Sequence, residues 1–559
     1  ATHGTGDATV VNANGINFAA STIGDDLIAT ASDGDVIQSG ALTIVGETTI
    51  TVATGHDVTL DLASNDFNSD DASDNRKVTI TGRDVKISDT DALFLGRQDV
   101  SGNLTVTAGG NIDDGDFLTV GGTTTITGSG YVKFNNGPSG GVGSDYEGAV
   151  SIDADGEITL KDQNDIQLGT ITGTGNLTVT ASLGSTGTVT QSGTITVTKR
   201  TTITNTGGDV TLEAEDNNFG DGSGSYNTDL KVTAANVSIK AVVHSENEDT
   251  LELGASTVSG TYNVTAITGN ITDTGTLAIT GLATFNTSAS NATITLDETG
   301  STFAAGVSLN TTRASGNATV DTGTNALILA TSSVGGNLAA TAGNTITDSG
   351  VLTVTGTSSF TTDVDDKDII FNENHAFTGA VTITTNGTSG DATISAGSLK
   401  ELKLAASTID GDLIITSSHA TGISQTGVLT VGGTSSFTTS AGGADIDLST
   451  SANMFTGTVE LNTSGSSGHV TVTTGATQLS LAASAVGGNL TLTTGHNIIQ
   501  TGGLVVGGTA TIEAPSKVVN LKNEANDFQG PLNVVNGFKT QITDANAVEL
   551  GDIASSKWF

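Results

Sequence analysis

Cysteine is absent from this 559-residue chain, and proline occurs three times, tryptophan once and methionine once. Without cysteine there is no disulfide, no thiolate nucleophile and no thiolate metal site. A secreted form would then draw its stability from stacked backbone hydrogen bonds and a continuous apolar core. So little proline beside 74 glycines, with apolar residues alternating with Thr and Ser throughout, points to short strands closed by tight turns and not to a disordered linker. No run of eighteen apolar residues occurs, so no membrane-spanning helix is expected. Helical apolar spacing is also missing. Cations are scarce, 19 Lys and Arg against 59 Asp and Glu for a net charge of −40, which argues against nucleic acid or an anionic membrane as a partner.

What is present is one phrase repeated end to end. Seven copies align on an apolar residue that follows Asn or Asp: Leu27, Leu104, Leu177, Val264, Leu338, Leu413 and Leu490, spaced by 77, 73, 87, 74, 75 and 77 residues. A second phrase follows each anchor, Gln38-Ser39-Gly40 in the first copy, then Asp113-Asp114-Gly115, Gln191-Ser192-Gly193, Asp273-Thr274-Gly275, Asp348-Ser349-Gly350, Gln425-Thr426-Gly427 and Gln500-Thr501-Gly502. A third is an aromatic, usually after Asn or another polar residue: Phe67, Tyr146, Phe219, Phe303, Phe377, Phe455, Phe528. The fourth is typified by Leu251-Glu252-Leu253-Gly254 and Leu402-Lys403-Leu404-Ala405.

A fixed period of this length is the signature of a solenoid, in which each unit adds rungs rather than a new core. The expected fold is all-β: one continuous parallel β-helix over 1–559, in units 1–26 (partial), 27–103, 104–176, 177–263, 264–337, 338–412, 413–489 and 490–559 (partial), with all seven anchors facing inward. Its structural rival is a string of antiparallel sandwich domains of about 75 residues each. In the clearest unit, strand-like runs fall at 413–416, 428–431, 435–439, 446–448, 459–461, 470–473 and 478–481. At about 20–25 residues per rung and about 4.8 Å between rungs, the chain would form roughly 22–28 rungs, a rod about 105–135 Å long. Both ends break within the pattern, as expected of a segment of a longer solenoid.

The Asn before the anchors matches a glycosylation acceptor at Asn103, Asn176 and Asn263, but it reads better as a turn residue, since Asp26 and Asp412 fill the same slot. With copies so far apart, no continuous Asn ladder is expected. The aromatics read as core plugs. Residues 61–250 are the most individual, with insertions or acidic stretches at 65–75, 135–145, 214–226 and 244–249, where solenoid loops often carry binding.

Catalytic chemistry is thin. The seven histidines (His3, His56, His244, His375, His419, His469, His496) are scattered, with no pair at metal-ligand spacing, and no Ser sits in a nucleophile elbow. The β-helix lyases and hydrolases need clustered carboxylates, commonly with Arg or Lys, and this chain has five Arg. No catalytic, cofactor-binding or metal-ligating residue is therefore nominated. Calcium is the one ion the Asp-bearing turns could take, and Asp153-Ala154-Asp155-Gly156-Glu157 carries the start of a calcium loop without the rest.

The phrases Gly-Asn-Leu-Thr-Val-Thr-Ala, Gln-Ser-Gly-x-Leu-Thr-Val, Asn-x-Phe-x-Gly-x-Val and x-Leu-x-Leu-Gly resemble the repeats of filamentous-haemagglutinin-type adhesins, large bacterial exoproteins of two-partner secretion that include biofilm-matrix adhesins. The resemblance spans nearly the whole chain. It implies a right-handed parallel β-helix, a secreted or cell-surface location, export through an outer-membrane partner transporter, and non-enzymatic adhesion to matrix polysaccharide or to other copies of the adhesin. It supplies no catalytic residue. The rival functions are a polysaccharide-degrading β-helix and a tail-fibre or surface-layer component.

Overall fold

The structure, a computed structural model, describes residues 6–67, 76–135, 143–181, 187–220, 229–243 and 250–556. Val, Ile, Leu and Phe alternate with Thr and Ser over runs of mostly three to five residues, so each run buries one side and exposes the other. The described residues form strands and turns only, with no helix, and every described strand pairing is parallel. The chain winds as a β-solenoid of about 24 turns. Parallel pairing excludes antiparallel sandwich modules. By contact density the chain divides into two compact units, Ala1–Gly281 and Leu282–Phe559.

In the first unit Leu27 lies beside Thr48 and Thr48 beside Val78, while a second sheet stacks Val85, Leu104, Thr124 and Val150. In the second unit Leu413, Ser435, Val459 and Leu481 stack in the same way, 22, 24 and 22 residues apart. These steps agree with the expected rung length. All seven anchors are buried, none more than 2% exposed, and the seven aromatics are buried with them.

Register corrects two alignments. Val237 pairs with Tyr262 as Val85 pairs with Leu104, so Tyr262 occupies the anchor slot of the fourth copy and Val264 sits two residues further along the same strand. Asn263 is then an exposed strand residue and not a turn residue, unlike Asn103 and Asn176. In the second copy Leu95 pairs with Asp114, as Leu404 pairs with Gln425, so Asp114 and not Asp113 fills the Gln slot.

Within 413–489 the runs placed by alternation are all strands, but two further strands are present, Gly422–Gln425 and Ser484–Val486. Each turns a polar residue inward. For the serine the reason is a break in pairing: strand Leu230–Ala234 faces two short strands, Thr250–Leu253 and Ser256–Val258, divided by a corner. Leu230 pairs with Leu253 and Thr233 with Thr257, which leaves the N–H of Val232 opposite the gap. Ser256 Oγ accepts it at 3.0 Å and donates to Gly254 O at 2.9 Å. Ser332, Ser407 and Ser484 do the same for Leu309, Ile383 and Leu461.

Of the individual stretches between 61 and 250, residues 68–75, 136–142, 221–228 and 244–249 lie outside the described residues. So do His3 and His244.

Candidate functional site

Many of the buried polar side chains bond the backbone. One buried corner recurs in six of the seven copies. Gln38 Nε2 donates to Asn65 Oδ1 at 2.7 Å, Asn65 Nδ2 returns a bond to Gln38 Oε1 at 2.9 Å, and Asn65 Oδ1 also accepts the N–H of Leu42. Gln191–Asn217, Gln425–Asn453 and Gln500–Asn526 repeat this reciprocal pair, serving Ile195, Leu429 and Leu504. Where the Gln slot holds Asp, the Asn slot changes as well. Ser144 Oγ serves Leu118 in the copy with Asp114, and His375 Nδ1 serves Leu352 in the copy with Asp348. The second and third phrases of the sequence are thus the two halves of one corner. The signal that could have shown it is the coupled change from Gln with Asn-x-Phe to Asp with Ser-x-Tyr or His-x-Phe.

The turn before the anchors is built by a second device, a set of short mixed series of side chains and not a continuous Asn ladder. The seven repeated Asx residues are not on adjacent rungs, but the intervening rungs supply their own. Asp35 Oδ1 accepts the N–H of Asp57, Asp57 that of Asp84, Asp84 that of Asn103, and Asn103 that of Thr123. In the second unit Asp368, Asp391, Asp412 and Thr434 form a like series, as do Asp445, His469, Asn489 and Thr509. Asp84, Asn103, Asp391, Asp412 and Asn489 each lie over the glycine of the next turn. A Cβ on Gly122 would come within 2.5 Å of Asn103 Oδ1, so Gly-Asn is written by the rung before it and the rung after it. Stacked carboxylates repel, and in the first series a cation intervenes: Arg83 binds Asp57 at 2.6 Å and holds its carboxyl below the usual range. His56 lies 3.3 Å from both Asp33 and Asp35.

Grooves interrupt the surface among the described residues. One, of about 320 Å³, is lined by Asp145, Glu147, Asn164, Asp165, Gln167 and Thr190. Gln163 Nε2 donates to Asp145 at 2.7 Å. Beneath it the fully buried Asp162 accepts the N–H groups of Tyr146 and Asn164, and burial pushes its carboxyl up to about 7 against those donors. Asp89 holds the N–H groups of Phe67 and Asp91 in the same manner and is also raised, chiefly by burial. Another groove, of about 340 Å³, has Ala485 and Val505 among its lining, with Thr463, Ser466 and Gln529.

Among the described residues one acidic trio, Asp7, Asp25 and Asp26, brings ligand atoms within 4.8 Å of one another. Asp153, Asp155 and Glu157 do not converge in this way; Glu157 lies instead 3.5 Å from Lys133. No helix among the described residues is long and apolar enough to cross a membrane.

Parallel strands in stacked turns, with polar residues recruited rung by rung into the backbone, define a β-solenoid repeat protein. The chain belongs to a family of repeats of unknown function, DUF5649, whose repeat matches seven times, at residues 5–71, 82–153, 155–225, 234–310, 315–384, 389–462 and 467–535. These copies and the anchor-based units divide the same period at different points. No curated protein and no solved structure matches the chain.

Proposed function

We propose that the chain is a non-enzymatic segment of a bacterial surface adhesin, exported by an outer-membrane partner and acting through many weak contacts with matrix polysaccharide or with other copies of itself. The observation that supports this is the division of labour between the two sides of the strands. Inward Asn, Gln, Ser, His and Asp serve backbone N–H groups, whereas outward positions repeat Thr and Ser in register, as in Thr471–Thr491–Thr511 and Thr105–Thr125–Ser151. Similar shallow hydroxyl sites on successive turns favour avidity over single-site affinity. Hydroxyls and exposed Asp carboxylates are suitable partners for sugar hydroxyls, and the groove at Asp145 and Asp165 is the most individual of these surfaces.

The test is titration of the purified chain against matrix polysaccharide and against itself, with and without a chelator. Binding or self-association is the expected result. Weakening by the chelator would add calcium as a bridge between carboxylates that otherwise repel. Neither binding nor association at any concentration that aggregates cells bearing the parent adhesin would reduce the segment to a spacer. The groove carboxylates favour one second reading, a polysaccharide-degrading β-helix, and new reducing ends in the same tube would establish it in place of the first.

A further inference from the structure

We propose that the Asp348–His375 corner is an acid-sensitive latch in the second unit, which opens the turns around Leu352 when the histidine takes a second proton. The geometry sets a single protonation state. Leu352 donates its N–H to His375 Nδ1 at 3.0 Å, so Nδ1 must be bare and the ring proton sits on Nε2, 3.0 Å from Asp348 Oδ2. Asp348 in turn accepts the N–H groups of Asn372 and Glu373. Both side chains are out of solvent, His375 at 0% and Asp348 at 4% exposure.

Around the ring stand Phe371 and Phe377, with centroids 5.4 and 5.6 Å away, and Phe360 packs on both of these. On the following strand Ala396 lies beside His375. Asp348 is the charged group against the ring; Glu373 on its own strand and Asp363 and Asp365 on the preceding one are exposed. A proton arriving at Nδ1 would set two donors against each other and strand the Leu352 N–H in this apolar shell. Burial accordingly holds the imidazole below its ordinary value, with Asp348 opposing. The sign follows: the neutral corner contributes fully above about pH 6.5, the ordinary histidine value, and that contribution is lost as pH falls below it. In the other corners with a described acceptor, Asn or Ser sits where His375 sits, and neither titrates in this range.

The chain itself supplies the control variants. D348Q/H375N copies the Gln425–Asn453 corner, and H375S copies Asp114–Ser144. Hydrogen exchange of the intact chain, corrected for the intrinsic pH dependence, should show protection around 346–377 falling by up to about tenfold per pH unit once the pH is below 6.5. The corner at 425–453 should not change over that interval. Either variant should abolish the excess. If one fails to fold, the other carries the test. An unchanged 346–377 segment in the parent between pH 7 and 5, or the same loss in a folded variant that lacks the imidazole, would overturn the latch.

Discussion

Ser332 shows what a single hydroxyl does in this fold. Its Oγ takes the N–H of Leu309 and gives its proton to Ala330 O. Ser332→Ala leaves a buried donor with no acceptor, at a cost of about 1–3 kcal/mol. Exchange at the Leu309 amide should quicken correspondingly while the rest of the second unit holds its protection; an unchanged Leu309 amide would mean that the Ser has no such role. This role was not legible in the sequence, because an inward Ser in Leu-x-Leu-Ala-x-Ser breaks the apolar alternation by which strands are recognised. The same blindness hid strand Gly422–Gln425, whose Gln425 turns toward Asn453. Hydrophobic alternation reports which residues leave water, and it is silent on polar residues buried to satisfy the backbone.

At the scale of the strand, the anchors and aromatics were readable because burial is what their pattern encodes. Register was not. Asn263-Val264 mimics Asn-Leu, and only pairing to Val237 shows that Tyr262 fills the slot. The corner was half legible, since both of its phrases stood out in the sequence and the bonds between them did not. Strand Leu338–Ala342 pairs with Ala318–Asp321 on one side and Ser358–Asp365 on the other. Leu338→Asp puts an unpaired carboxylate between them and should cost several kcal/mol. Because contacts in a solenoid are between neighbouring turns, exchange protection should fall over 318–362 and persist over 470–512. Cooperative loss of all strand signal on mild heating, with no intermediate, would count against nearest-neighbour stability.

For the molecule as a whole, acidity acts on buried carboxylates in the first unit with the opposite sign to His375 in the second. Asp162 is pushed up to about 7 from an ordinary 3.8. Between those values the folded chain keeps a proton that the unfolded chain gives up, so this group stabilises most in acid and loses that contribution as pH rises toward 7. Asp89 shares the direction. Protection of the strands around 146–180 should therefore rise from pH 7 to pH 5, and Asp162→Asn should flatten the rise; a parent whose protection there falls on acidification would contradict the assignment. None of this was visible in composition, because a net charge of −40 counts Asp162 together with the exposed carboxylates.

The Asx series also has a direction in time. In each of its steps the acceptor belongs to an earlier turn and the N–H to a later one, from Asp35 through Asp57 and Asp84 to Asn103 and Thr123. A chain released N-terminus first therefore offers each acceptor before the donor that will use it exists. In such a chain the last finished turn would be the template on which the next is laid. The corner bonds run the other way, an early N–H waiting for a later Asn, Ser or His, as Leu42 waits for Asn65. In a chain that emerged amino end first, laying down and locking would thus be separate events one turn apart.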